Sequence, residues 1–112
     1  MKSTRVDPFD AADVFIAKMA KPFADPIRMG IMQYLIYHGP STVPELVDQF
    51  PSMHPSTVKK QLRLLMRSDL IVQLRYEKQI SYQLNDEQYR RHIEVVAGFI
   101  KELLDSSKGA KE

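Results

Sequence analysis

Residues 53–65 read MHPSTVKKQLRLL, and this stretch decides the fold. Pro55 is typical of the first turn of a helix, where its missing N–H leaves no hydrogen bond unmade. At about 100° per residue, Val58, Leu62 and Leu65 then share one face of the helix. The opposite face has one hydroxyl, three cations and no acidic residue: Ser56, Lys59, Lys60 and Arg63. The stretch therefore predicts a helix with a buried side and a cationic side.

The residues just upstream predict a shorter helix that would pack beside the first. Thr42 and Glu45 have the spacing of a capping box, a common start of helices. Leu46 and Phe50 would form its apolar side, and Pro51 would end it. Two short helices joined by a tight turn are a helix-turn-helix candidate.

The remaining patterns complete a single domain. Asp10 can cap a first helix, and the alternating segments LIVQLRY and QISYQL predict a β-hairpin. The predicted elements are helices over about 10–20, 26–38, 42–50 and 55–68, a hairpin over 70–84, and a last helix over 86–104. This order, α-α-α-α-β-β-α, predicts a mainly α fold with a small β-hairpin (α+β), the winged helix-turn-helix. Residues 1–9 are expected to be a flexible lead, 10–104 the domain, and 105–112 a polar tail.

Composition limits the number of domains and the cellular compartment but does not decide the function. The chain has 112 residues, room for one domain, and its net charge of +2 does not by itself indicate a nucleic-acid partner. It has no cysteine, which excludes disulfides and thiolate metal sites and is typical of a reducing compartment. The N-terminal stretch contains several Asp and no long apolar run, so we expect a cytoplasmic protein with no membrane partner.

The cationic face has two interpretations. One is solvated surface, since Lys and Arg are mostly exposed in any protein. The other is double-stranded DNA binding, favoured by the preceding helix and by a hairpin with cations near its tip. The start of such a helix enters the major groove, while the hairpin contacts the backbone or the minor groove. The predicted DNA-binding residues are Ser56, Thr57, Lys59, Lys60, Gln61, Arg63, Arg75, Tyr76, Lys78 and Gln79.

Four segments in this order and spacing resemble the ArsR-type winged-helix repressors: ADPIRMGIMQYL, STVPELVDQF, HPSTVKKQLRLLMRSDLI and ISYQLND. The resemblance implies a homodimeric transcription regulator in which Ser56, Lys59 and Lys60 face DNA. The chain departs from the family's pattern at His54 and Pro55, where the family commonly has a hydroxyl cap and a Gln. The resemblance therefore implies no particular operator sequence.

The usual sensing sites of that family are not recognisable. Many relatives bind metals through a Cys-x-Cys pair in the third helix, and the corresponding stretch here is STVPELV. On the last helix, no His or carboxylate lies three or four residues from His92, which therefore reads as a core or interface residue. We expect no metal site, no cofactor and no catalytic residue, hence no enzyme. A small-molecule effector of unknown identity stays open.

The first and last helices predict a homodimer. Their apolar stripes are wider than one small domain can cover, so pairing across a two-fold axis would bury them. The predicted interface residues are Val14, Phe15, Ile16, Met19, Tyr89, Ile93, Val96, Phe99, Ile100 and Leu103. We therefore expect a homodimeric repressor that binds a palindromic operator. The alternatives are a small-ligand-responsive regulator and a winged-helix protein-interaction module.

Overall fold

The computed structural model of the protein describes residues 10–110. Its helices are α1 (Ala11–Ala20), α2 (Pro26–His38), α3 (Val43–Asp48), α4 (Pro55–Arg67) and α5 (Asp86–Ala110), and its strands are β1 (Ser41–Thr42), β2 (Ile71–Tyr76) and β3 (Gln79–Leu84). A 3₁₀ turn over Lys21–Phe23 joins α1 to α2. The predicted fold class is confirmed, because the chain is mainly helical with a small sheet in winged helix-turn-helix order.

The predicted helix starts are confirmed by their hydrogen bonds. The Asp10 carboxylate accepts a bond of 2.9 Å from the Asp13 N–H at the start of α1. Thr42 and Glu45 form a capping box at the start of α3, with each side chain bonded to the other residue's backbone N–H. Such caps satisfy N–H groups that the first turn of a helix leaves without partners.

The hairpin lies in a three-stranded antiparallel sheet with the order β1-β3-β2. In the hairpin, Tyr76 pairs with Gln79 across a two-residue turn, in which Glu77 has a φ of 55°. The short strand β1 adds to the other edge of β3, where Ser41 pairs with Tyr82. We did not predict β1, because two residues are too few to show an alternating pattern.

The core lies between α2, α3, α4 and the sheet. The predicted apolar face of α4 is confirmed as buried, since Val58, Leu62 and Leu65 are at most 2% exposed. Leu46 from α3 and Ile31 from α2 are fully buried beside them. Burying such side chains contributes about 1.5–3 kcal/mol each, so this face fixes how α4 sits on the domain.

The last helix is longer than predicted. It runs to Ala110 rather than ending near residue 104, so most of the predicted polar tail is helical. Residues 105–110 contain no proline, and their glycine, Gly109, comes only at the end. Lys101 and Asp105 form an ion pair of 3.7 Å one turn apart. The predicted lead, residues 1–9, lies outside the described residues. None of the described helices has the length and hydropathy needed to cross a membrane.

Candidate nucleic-acid interface

The helix pair α3 and α4 is held by a compact turn and by α2. In the turn, the Met53 N–H donates to the Phe50 carbonyl at 3.0 Å. The Phe50 ring packs against Gly30 of α2, where a Cβ would come within 2.9 Å of the ring. Because Gly30 has no side chain, α3 and its turn can pack closely against α2. These contacts set the position of α4 as the second helix of a helix-turn-helix.

The start of α4 is capped by a histidine. The His54 Nδ1 atom lies 3.1 Å from the Ser56 amide nitrogen and 2.7 Å from the Ser56 Oγ atom. Pro55 follows at the first helical position, and Thr57 donates its N–H to the His54 carbonyl at 2.9 Å. The sequence carries no strong signal for this role, because histidine is not a favoured cap.

The predicted cationic face of α4 is exposed. Ser56, Lys59, Lys60 and Arg63 all lie at the surface, and α4 contains no acidic residue. Thr57 is half-buried at the edge of this face. In the part of the chain that the structure describes, none of the three cations forms an ion pair with a carboxylate. The face is therefore an uncompensated positive surface, as phosphate binding requires.

Gln61, also predicted as a DNA-binding residue, does not lie on this exposed face. Its side chain is only 9% exposed, and its Oε1 accepts a 2.6 Å hydrogen bond from Arg28 Nη1. The same guanidinium donates to the carbonyls of Pro22 and Lys21. Gln61 lies on the side of α4 that faces this guanidinium, and its Oε1 links α4 to α2.

The tip of the hairpin carries the predicted wing residues. Arg75, Tyr76, Lys78 and Gln79 are all exposed, and Tyr76 is 76% accessible. Glu77 lies between them at the turn and reduces the positive charge of the tip. The wing is therefore a weaker cationic surface than α4, with one aromatic ring that can lie along a groove.

Some of the predicted interface residues lie at the surface, and others are buried or half-buried within the chain itself. Val14, Phe15, Ile93, Ile100 and Leu103 are exposed apolar side chains on α1 and α5. The half-buried members are Ile16, Tyr89, Val96 and Phe99. Met19 is already buried, because α1 packs along α5 in the same chain, so it has almost no surface left for a second copy.

The histidines have local structural contacts. His92 is buried, its Nδ1 lies 2.8 Å from the Gln88 carbonyl, and its ring lies beside Phe23. The His38 ring stacks on Tyr34 with centroids 4.0 Å apart. Within residues 10–110, no three His, Asp or Glu side chains come together in a way that could hold a metal ion.

A basic cavity of about 290 Å³ lies beside α4 and was missed by the sequence analysis. Its lining residues come from α1, the 3₁₀ turn, α2 and the end of α4: Lys18, Lys21, Pro22, Arg28, Leu64, Arg67 and Ser68. Four of these seven described lining residues are cations, and none of the seven is acidic. No local pattern could have found it, because its parts come from distant segments.

The fold and this surface define a winged helix-turn-helix protein, and comparisons with known proteins agree. The helix-turn-helix domain family matches residues 23–73. No curated protein sequence matches the chain. The predicted resemblance to the ArsR-type regulators is nevertheless confirmed by similar solved structures, among them an ArsR family transcriptional regulator.

Three of those structures illustrate the similarity. The transcriptional repressor BigR from Xylella fastidiosa is 25% identical, with a TM-score of 0.59 over 78% of this chain and 88% of that one. An ArsR family transcriptional regulator is also 25% identical, with a TM-score of 0.63 over 79% and 88% of the two chains. A homodimeric winged helix-turn-helix DNA-binding domain from Mycobacterium bovis is 19% identical, with a TM-score of 0.60 over 90% and 95%, and at this identity it supports the fold alone.

Proposed function

We propose that the protein is a DNA-binding transcription regulator that acts as a homodimeric repressor on a palindromic operator. The observation that carries the proposal is the exposed, acid-free face of α4 with Ser56, Lys59, Lys60 and Arg63. A solvated surface helix of a chain with a net charge of only +2 would be expected to mix both signs of charge. The similarity to BigR, a transcriptional repressor, supports the sign of regulation.

Each part of the surface has a role in this proposal. The start of α4 enters the major groove, where Ser56, Lys59 and Lys60 reach base edges and nearby phosphates. Arg63, further along the helix, binds phosphate, and Thr57 contacts the backbone at the rim. The wing residues Arg75, Tyr76, Lys78 and Gln79 add backbone or minor-groove contacts. Occupation of a promoter in this way would exclude other proteins from it.

The homodimer follows from the apolar surface of α1 and α5. Val14, Phe15, Ile100 and Leu103 are each at least 43% exposed in the protomer, and together they form an apolar surface at which a second copy can bind. A two-fold pair would place two α4 helices about one DNA turn apart, roughly 34 Å, which matches a palindromic site.

The first test is selection of binding sites from a random pool of double-stranded DNA. We expect enrichment of one palindromic sequence. The double variant Lys59→Ala, Lys60→Ala should then bind that sequence at least about tenfold more weakly, because each lysine acts in both protomers. The matched control is Lys101→Ala, Lys108→Ala, which removes the same charge from exposed positions of α5. Failure to enrich any DNA would overturn the proposal and favour the protein-interaction module.

A small-ligand-responsive regulator is a second candidate, favoured by the basic cavity. Arg28 lines this cavity and also bonds Gln61 of α4, so an anion bound there would compete for the group that holds the helix. A panel of inorganic and carboxylate anions tests this by thermal shift and by release of the selected DNA. Anions that stabilise the protein and release DNA support it, provided that Lys21→Ala, Arg67→Ala abolishes both effects. If the anions stabilise the variant and release its DNA as they do with the wild type, this second candidate is rejected.

A further inference from the structure

The hydrogen bonds at the start of α4 determine which groups Ser56 can offer to DNA. The His54 Nδ1 atom lies 3.1 Å from the Ser56 amide nitrogen, whose N–H can only donate. Nδ1 must therefore be the unprotonated, accepting nitrogen of the ring. In the neutral imidazole, the hydrogen is then on Nε2.

The same nitrogen decides the orientation of the Ser56 hydroxyl. Its Oγ atom lies 2.7 Å from His54 Nδ1, a distance typical of a hydrogen bond. Because Nδ1 accepts, the hydroxyl must be the donor in this contact. Serine has a single hydroxyl hydrogen, so this bond uses it within the protein. The exposed side of Ser56 Oγ then carries only acceptor lone pairs.

The sequence around this contact keeps it in place. Pro55 has a fixed φ and disfavours the helical region for the residue before it. His54 is accordingly extended, with φ −66° and ψ 138°, which is the conformation that a helix cap needs. The contact spans only two residues and depends on no distant element, so it can persist when α4 enters a groove.

We propose that His54 is a specificity-determining residue that restricts Ser56 to bases with an amino group in the major groove. Those bases are cytosine, through N4, and adenine, through N6, whereas guanine and thymine present acceptors there. A serine with a free hydroxyl can bond either kind. His54 acts through Ser56 and so selects the base without touching it. This inference rests on the proposed function, because it assigns a preference to the same α4 surface.

The test compares binding sites selected from random DNA by the wild type, Ser56→Ala, His54→Ala and His54→Asn. We expect one position in each half-site to require cytosine or adenine in the wild type and to lose its preference in Ser56→Ala. In His54→Ala the hydroxyl is released, so guanine and thymine should also be accepted there. Asparagine offers a capping oxygen in place of Nδ1, so His54→Asn should restore the wild-type preference and show that the loss is not misfolding.

A chemical substitution in the selected DNA gives an independent measurement. At the Ser56-dependent position, adenine is replaced by purine, or cytosine by 2-pyrimidinone, each of which lacks the amino group. Wild-type affinity should fall about fivefold to tenfold, as expected for one lost hydrogen bond, while Ser56→Ala should bind both DNAs equally. The inference is overturned if that position prefers guanine or thymine, if no position depends on Ser56, or if His54→Ala keeps the wild-type preference. Absence of any selected site would instead reject the proposed function.

Discussion

The helices α4 and α5 are both amphipathic, yet they leave opposite kinds of surface exposed. The apolar side of α4 is buried in its own domain, and the side left to solvent is polar and cationic. On α5 the exposed side chains include Ile100, Leu103 and Leu104, which are 50%, 53% and 59% accessible. The protomer therefore presents one surface suited to an anion and one suited to another apolar surface.

The two exposed surfaces suit two different kinds of partner. Lysines and a hydroxyl at the start of a helix match phosphates and base edges, which stay hydrated until contact. A continuous apolar stripe on a helix has no groups that bind phosphates or base edges. Its exposure to water is unfavourable unless another apolar surface covers it. We infer that α4 binds DNA and that α5 binds a second protomer, and each substitution below tests one side of the contrast.

The largest expected effect is on the buried side of α4. Leu65 is fully buried, so Leu65→Ala should lower the free energy of unfolding by about 2–5 kcal/mol through lost contacts and a residual cavity. Urea unfolding at one fixed protein concentration measures this. The matched control, Leu74→Ala, removes the same atoms from an exposed position of β2 outside the proposed dimer surface and should cost clearly less. Equal losses would mean that Leu65 contributes no more to the core than an exposed leucine does.

The next effect concerns the exposed side of α5. Ile100→Glu should leave the protomer folded, because the side chain is half accessible, but should place two like charges in the proposed two-fold interface. An unpaired buried charge costs about 3–5 kcal/mol, so the dimer dissociation constant should rise at least a hundredfold. Sedimentation velocity over a range of concentrations measures the change.

A charge-matched control for this interface is available on the same helix. Lys101 is 79% exposed in its side chain and pairs with Asp105 across one turn. Lys101→Glu should therefore change dimerisation little, since exposed helix pairs contribute a few tenths of a kcal/mol. If Lys101→Glu dissociated the protein as strongly as Ile100→Glu, the apolar stripe would not be the interface.

The contrast between the helices was visible in the sequence because each face repeats with the helical period. Val58, Leu62 and Leu65 recur at spacings of three and four residues, which is enough to separate the buried side from the cations. The capping box and the hairpin were likewise local patterns. Such features can be predicted because their causes lie within one element.

Features whose causes lie in distant segments could not be predicted. Gln61 was assigned to the DNA surface because it lies in the early turns of α4, the part of such a helix that enters the major groove. Its burial depends on Arg28, which is 33 residues earlier in the chain. The basic cavity also needs four separate segments to meet. The role of His54 needs atomic distances, since the sequence does not say which ring nitrogen faces Ser56.

The burial of Gln61 leads to a prediction whose expected effect on stability is intermediate. Gln61→Leu removes the acceptor of a partly buried guanidinium N–H, so stability should fall by about 1–2 kcal/mol. The base preference of the protein should stay unchanged, because the side chain does not face DNA. Thermal unfolding and site selection on the same variant measure both. A changed base preference with unchanged stability would instead indicate that Gln61 contacts a base.

The smallest expected effect is at the wing, where Glu77 offsets part of the charge. If each protomer neutralises about three phosphates, the slope of log K against log salt should be about −5.4 for the dimer. Lys78→Ala removes one contact per protomer, so the slope should change to about −3.6, while affinity at low salt falls only severalfold. Glu77→Ala is the opposite control and should strengthen binding slightly. If Lys78→Ala leaves the slope at the wild-type value, Lys78 does not contact the DNA backbone, and the phosphate contacts come from α4 and Arg75.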